Sequence, residues 1–197
     1  TKPDYLTFWQ GHDFINDGYI WSFPKVKSNV TNFGAGFLIS NNHGSNVLDI
    51  TMEWLYKLFP GAQINHVVGG VIPVSSVLKD YTLDRFALVG DAAHHTNPLT
   101  GGGIAAAMRA GRFCAQTVHE GFECGNLSKE FLKTYEKRCY DYFGRMHDFE
   151  YKFRRFLLNV NKDEQTELYK VLQNFAKHGC KKRAFLQTPI EDRKSVV

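Results

Sequence analysis

No run of apolar residues in this 197-residue chain approaches the roughly 20 needed to span a bilayer, so no transmembrane helix is expected. Cysteine is scarce. Cys114, Cys124, Cys139 and Cys180 occur singly, without the CxxC spacing that metal and redox sites use. They read as reduced thiols of a cytoplasmic protein, and no metal site is expected. The chain opens on Thr-Lys-Pro-Asp-Tyr, without an initiator Met and without a basic segment leading into an apolar stretch. No secretory signal is expected from this stretch, and the start reads as a cut in a longer polypeptide. Internal repeats and low-complexity segments are missing too. Neither sign of charge dominates: 24 basic against 20 acidic residues leave a net +4, and no nucleic-acid partner is expected.

What is present is a composition able to build a core. Hydrophobic residues make up 43% and charged residues 22%, which fits one ordinary domain or two small lobes. Much of the basic excess lies late, in Arg154-Arg155 and between Lys177 and Arg183. A solvated helical surface is the ordinary reading of such a run; a face for anionic lipid headgroups, and so peripheral membrane contact, is the other.

From Tyr5 to Ile39, aromatic and β-branched residues are punctuated by Gly11, Asn16-Asp17-Gly18 and Ser28-Asn29, which predicts an antiparallel sheet with turns at those points. Asp17-Gly18 suits a tight hairpin, because Gly tolerates positive φ. Tyr19, Trp21 and Phe23 then share a strand face. Ile50, Trp54, Leu55 and Leu58 predict an amphipathic helix over Val47 to Phe59, stopped by Pro60-Gly61 and covering one side of the sheet. Val67 to Val74 is apolar around Gly69-Gly70 and reads as a strand that bends at the glycines.

Phe86-Ala87-Leu88-Val89 ends in Gly90-Asp91, the pattern of a buried strand opening into a site. After a loop, the Ala-rich segment from Gly103 to Gly121, with Ile104, Met108, Gly111, Ala115 and Val118 at three- and four-residue spacings, predicts a helix packed closely against something, its small residues permitting close approach. Beyond Asn126, Ser128 and Glu130 mark a helix start, and Phe131, Tyr135, Tyr142, Met146, Phe149, Phe153 and Phe156 recur at mostly helical spacing, read as core packing. A last helix is predicted from about Glu164 to Lys177, capped by Asp163. The organisation expected is a substrate-sheet region with one helix over 1–80, a strand-loop-helix over 81–122 and a helical region over 123–197.

The chemistry concentrates in Leu88 to Ile104, where a strand end, a carboxylate, a glycine run and a helix start coincide. Gly101-Gly102-Gly103 would let a ligand lie on bare backbone, and the free N–H groups of the following helical turn suit phosphate or an anionic ring. Asp91 is placed to accept hydrogen bonds from the hydroxyls of a ribose or ribityl chain. Gly-Asp can equally be a turn, and the glycines a simple lead into the helix. His94-His95 are more often loop histidines held by packing than catalytic groups.

Gly90-Asp91-Ala92-Ala93 followed by Asn97-Pro98-Leu99-Thr100-Gly101-Gly102-Gly103-Ile104 resembles the second FAD-binding motif of geranylgeranyl reductases. Tyr19-x-Trp21-x-Phe23-Pro24-Lys25 with Gly34-x-Gly36 resembles that family's substrate signature, and Gly69-Gly70-Val71-Ile72-Pro73-Val74 resembles the segment before its flavin loop. The resemblance covers roughly residues 19 to 112. It implies the C-terminal part of a p-hydroxybenzoate hydroxylase-type flavoprotein, mixed α+β and α/β, whose substrate domain is floored by an antiparallel sheet. It also implies roles. Gly90, Asp91, Pro98, Thr100, Gly101, Gly102, Gly103 and Ile104 would contact FAD, with Asp91 on its ribityl hydroxyls. Tyr19, Trp21, Phe23 and Pro24 would line a channel for a polyprenyl chain, whose double bonds would be saturated with electrons from an external donor such as NAD(P)H or a ferredoxin-like protein.

Departures from the family are visible. The GxGxxG fingerprint that cradles the FAD pyrophosphate is absent from this sequence, so an N-terminal half supplying it is expected as a partner. Val26 stands where the family often has Gly, and the spacer before Gly34 is slightly long. Two other readings stay open. His94 after Gly-Asp-Ala-Ala also resembles aromatic monooxygenases of the same fold, and without the first fingerprint the chain could be a non-catalytic binding module.

Overall fold

The computed structural model describes residues 5–11, 14–39, 44, 46–161, 163, 164, 166–168 and 170. Lys177 to Arg183, Cys180 and most of the helix predicted from Glu164 lie outside them. The chain divides into two compact units, residues 1–68 with 170–197, and residues 69–169.

The first unit is a three-stranded antiparallel sheet in the order β1 (Thr7–Gly11), β2 (Ile15–Lys25), β3 (Val30–Phe37), with helix α1 (Val47–Leu58) on one face. Asn46 caps α1 by accepting the Leu48 N–H at 2.9 Å, and the helix stops at Phe59 as Pro60-Gly61 requires. Asn29, with φ +50°, closes the β2–β3 hairpin after a short 3-10 turn at Val26–Ser28.

Asp17-Gly18 does not make the hairpin predicted for it. Strand β2 runs straight through, and the pairing of Gln10 with Tyr19 but Gly11 with Ile15 leaves Asn16, Asp17 and Gly18 as an insertion relative to β1, of which Gly18 still pairs with Phe37 of β3. Asp17 takes φ +49° within the bulge. A bulge and a tight turn ask for the same residues, and only the strand partner tells them apart. The bulge has a packing consequence. Ile15 and Ile20 stand an odd number of residues apart, yet both are buried with Ala35 against Ile50 and Trp54 of α1. In an unbroken strand simple alternation would send one of them to the opposite face; the three extra residues bring both back to the same side. Burying a side chain such as Ile20 contributes about 1.5–3 kcal/mol.

The second unit begins with a stretch that is neither helix nor strand. The strand predicted over Val67 to Val74 has no ladder partner among the described residues; Val68, Val71 and Ile72 are exposed. Phe86–Val89 departs from expectation in another way. Only β5 (Phe86–Ala87) is laddered, in an antiparallel ribbon with β4 (Thr82–Leu83), and Phe86 is exposed. Leu88 and Val89 continue extended and pack on the core.

Helix α2 (Ile104–Glu123) starts where predicted but buries a different face. Ala110, Thr117 and Gly121 are inside, with Ala106, Phe113 and Cys114 beside them, while Ile104 and Met108 are 82% and 74% exposed. The helix is apolar on two sides, and the small-residue side is the one α3 (Lys129–Cys139) can approach. At the C-terminal turn of α2 a Cβ on Gly121 would stand 2.8 Å from the Asn126 carbonyl, so only glycine fits. Arg138 of α3 fastens the pair by donating to Thr117 Oγ1 at 2.8 Å and to both Glu120 oxygens at 2.9 Å.

Ser128 caps α3 through the Phe131 N–H, as its position suggested. Helix α3 passes through a π-helical turn at Tyr140–Gly144 into α4 (Arg145–Asn159). Tyr135, Cys139, Phe143 and His147 recur at four-residue steps and are all buried; the wider turn keeps that spacing on one face. The aromatic stripe read as core is therefore core only in part. Tyr135 is fully buried, but Tyr142, Met146, Phe149 and Phe156 are exposed, with Phe149, Phe153 and Phe156 stacked on one another. A regular helical period cannot carry both sets inward across a π-turn.

Candidate functional site

In the first unit the aromatic signature forms one surface. Tyr19, Trp21 and Phe23 alternate onto the face of β2 away from α1, with ring centroids 5.7 and 6.2 Å apart, and Phe8 of β1 closes the row at 5.8 Å from Tyr19 and 5.2 Å from Phe23. Burial pushes the Tyr19 hydroxyl pKa up from its ordinary value. Gly36 and Gly34 sit opposite Tyr19 and Trp21 on β3, and Trp21 lies over Gly34 with its Nε1–H donated to Asn32 Oδ1 at 2.7 Å. The glycines thus supply the room that lets the indole lie flat on the sheet. Pro24 pairs with Thr31 and alternates to the other face, so the structure does not bring it into the row.

The second unit assembles Gly90 to Ile104. From extended Val89 the chain turns at Gly90, φ +69°, into a single 3-10 turn over Gly90–Ala93 that ends at His94, φ +55°. The left-handed residue sends the two histidines apart. His94 Nδ1 lies 2.6 Å from Ser75 Oγ, while His95 is completely buried among Tyr81, Tyr135 and Phe143. The Gly90 N–H donates to His95 Nδ1 at 3.1 Å and the His95 N–H to the Gly90 carbonyl at 3.1 Å, so the buried ring ties down the start of the loop. Burial, with the neighbouring His147, holds the His95 pKa down to about 4. Its ring is neutral at pH 7, with Nδ1 free to accept.

Asp91 is exposed, and one of its oxygens, Oδ1, accepts from buried Thr96 at 2.7 Å. A Cβ on Gly103 would stand 2.9 Å from that oxygen, so glycine is what lets the carboxylate sit beside the helix start. Helix α2 has no side-chain cap, and its N-cap residue Gly103 lies beside Asp91, so the first-turn N–H groups have no side-chain partner at this end. A carboxylate that accepts from hydroxyls, bare glycine backbone and uncapped amides are what a polyol-bearing nucleotide cofactor needs. These residues fit one.

Between them runs a loop organised by Asn97. Its Oδ1 accepts from Leu99 N, Thr100 N and Thr100 Oγ1 at 3.0, 2.9 and 3.0 Å. Its backbone donates to the Gly102 carbonyl at 2.9 Å and accepts from Gly101 N at 2.9 Å. Pro98 is buried, whereas Thr100 and Gly102 are exposed. Arg154, read from sequence as part of a solvated basic surface, instead donates to the Pro98 carbonyl at 2.8 Å. Asn97, Glu150 and Arg154 were not among the expected site residues; the last two lie 53 and 56 residues along the chain from the loop residues they bind, and nothing local marks them.

Comparison with known proteins shows what the chain is similar to. The geranylgeranyl reductase catalytic domain model matches residues 1–72. Digeranylgeranylglycerophospholipid reductase of Methanocella arvoryzae is 32% identical over 160 residues, covering 81% of this chain and 41% of that protein. The protein of the same name from Thermoplasma volcanium is 39% identical over 151 residues, covering 75% and 37%. A crystal structure of a geranylgeranyl bacteriochlorophyll reductase-like protein from Thermoplasma acidophilum superposes with a TM-score of 0.78 at 29% identity, over 97% of this chain and 46% of that one. The mixed architecture with an antiparallel sheet is the one expected, and the chain spans about two fifths of the length of the curated relatives it matches. With its aromatic sheet row and its Gly-Asp and glycine-rich loops, the chain is similar to proteins of the geranylgeranyl reductase family over most of its own length and over part of theirs.

Proposed function

We propose that this chain supplies the substrate sheet and the second flavin-contact segment of an FAD-dependent reductase that saturates carbon–carbon double bonds of geranylgeranyl chains in lipid biosynthesis. The observation that carries the reading is the meeting of Asp91, Gly103 and the uncapped start of α2 around one exposed stretch of backbone. Asp91 would accept from ribityl hydroxyls, Gly101 to Gly103 would lie along the isoalloxazine, and the first turn of α2 would face its electron-rich edge. When bound and reduced by an external donor, FAD supplies the hydride. The protein's part is positioning and the exclusion of water, because an unactivated alkene develops no oxyanion for side chains to stabilise.

Tyr19, Trp21 and Phe23, with Phe8, would hold the polyprenyl chain on the aromatic row. Half-exposed rings with few polar atoms suit an isoprenoid, and the names of the relatives specify a digeranylgeranylglycerophospholipid. A lipid substrate implies work at a membrane surface. Among the described residues no helix is long and apolar enough to cross one, so contact would be peripheral.

Flavin retention tests the reading. Asp91→Ala in the full protein should lower FAD affinity by tenfold or more, read by flavin fluorescence, and Trp21→Ala should raise the KM for a geranylgeranyl lipid while leaving flavin content unchanged. Unaltered FAD affinity in the Asp91 variant would overturn the cofactor assignment.

A further inference from the structure

Asn97 can serve its loop in only one orientation. Its Oδ1 is taken by three donors from Leu99 and Thr100, so its Nδ2 must point away from them. There it donates to Glu150 Oε2 of α4 at 2.7 Å. An ionised carboxylate only accepts, and so it accepts from the amide NH2 and rejects the flipped orientation, in which Oδ1 would face it. One helical turn later on the same face, Arg154 donates to the carbonyl of Pro98 at 2.8 Å. Two consecutive loop residues are thereby held by an i, i+4 pair on one rigid helix.

We propose that Glu150 and Arg154 are positioning residues that set the shape of the Asn97–Gly103 loop before any ligand arrives. The inference rests on the flavin reading above for its consequence, though not for its geometry. With Glu150 in place, the Asn97 amide is locked, Leu99 and Thr100 keep their N–H groups turned inward, and the Gly101 N–H and Gly102 carbonyl stay bonded to the Asn97 backbone, which leaves Gly102 at the surface with no side chain over it. Without Glu150 the Asn97 side chain is free to turn over. Its NH2 group would then face the Leu99 and Thr100 amides, donor against donor, and the loop would open. Arg154 acts on the preceding peptide: its donation fixes the Pro98 carbonyl, and with it the direction in which the chain enters the Leu99–Thr100 turn.

Two measurements test this separately from the cofactor assignment. Hydrogen exchange on this chain, with no flavin added, should show the Leu99, Thr100 and Gly101 amides exchanging at least tenfold faster in Glu150→Ala. Amides of α2 and α3 should be unchanged. Glu150→Gln, which can still accept through its amide oxygen, should restore most of the protection, and Arg154→Met should speed exchange mainly at Leu99. In the full protein, FAD affinity should fall about tenfold in Glu150→Ala and recover in Glu150→Gln. Unchanged loop exchange in Glu150→Ala would overturn the brace. Faster exchange with FAD affinity intact, while Asp91→Ala does lose FAD, would overturn its role in positioning the cofactor. Intact affinity in both variants would instead overturn the flavin reading and leave the brace standing.

Discussion

Trp21 lies across the backbone of Gly34: a Cβ placed on that glycine would stand 2.7 Å from the indole Cε2, well inside van der Waals contact. The two residues are register partners on β2 and β3, so the vacancy at Gly34 and the ring that fills it are one feature of the sheet. The ring is further held by the bond from its Nε1 to Asn32 Oδ1.

Gly34→Ala should therefore displace the indole and break the Tyr19–Trp21–Phe23 row. Overpacking of this kind costs about 1–3 kcal/mol. Urea unfolding followed by tryptophan fluorescence would show a lower midpoint and an altered native spectrum. Gly36→Ala, whose Cβ would meet Trp21 at an ordinary 3.6 Å, should be far milder. Equal effects at both positions would contradict the role given to Gly34.

A buried neutral His95 makes stability depend on pH. Its folded pKa, about 4, lies below the ordinary 6.5, so between those values the unfolded chain holds a proton that the folded chain refuses. Its contribution is complete above pH 6.5 and is lost as the pH falls toward 4, to a total of about 3 kcal/mol. The groups facing it are Tyr81, Tyr135, Phe143, His147, His94 and Asp91, and burial lowers His147 as well, which adds to the loss in the same sense. His95→Asn, which offers an oxygen to the Gly90 N–H but cannot titrate, should flatten the difference between unfolding free energies at pH 5 and pH 7. An unflattened difference would mean that His95 is not the group responsible.

Glu136 of α3 secures the β4–β5 ribbon, accepting from Tyr81 N at 2.9 Å and from Thr82 Oγ1 at 2.6 Å. Thr82 and Tyr81 are both buried, so Glu136→Ala strands two donors at a cost of about 1–3 kcal/mol each. Thermal unfolding should show the loss, with Glu136→Gln losing less because its amide oxygen can still accept. Loss of flavin without loss of stability would contradict a purely structural role.

Much of this protein was legible as sequence because the information was local. Pro60-Gly61 stops α1, Ser128 starts α3, and Gly90-Asp91 with the glycine run marks the loop, since backbone freedom and caps are decided within a few residues. Alternation alone put Tyr19, Trp21 and Phe23 on one face. Tertiary structure decided what a residue means once its partner is known. Asp17-Gly18 belongs to a bulge and not a turn because β1 pairs with β2 both before it, at Ile15, and after it, at Tyr19. Both sides of α2 are apolar, and the approach of α3 selected the small-residue side. The charge of Arg154 and the carboxylate of Glu150 look like ordinary helix surface until the fold carries them to partners 56 and 53 residues away, because hydrogen bonds follow distance in space and sequence spacing records only distance along the chain.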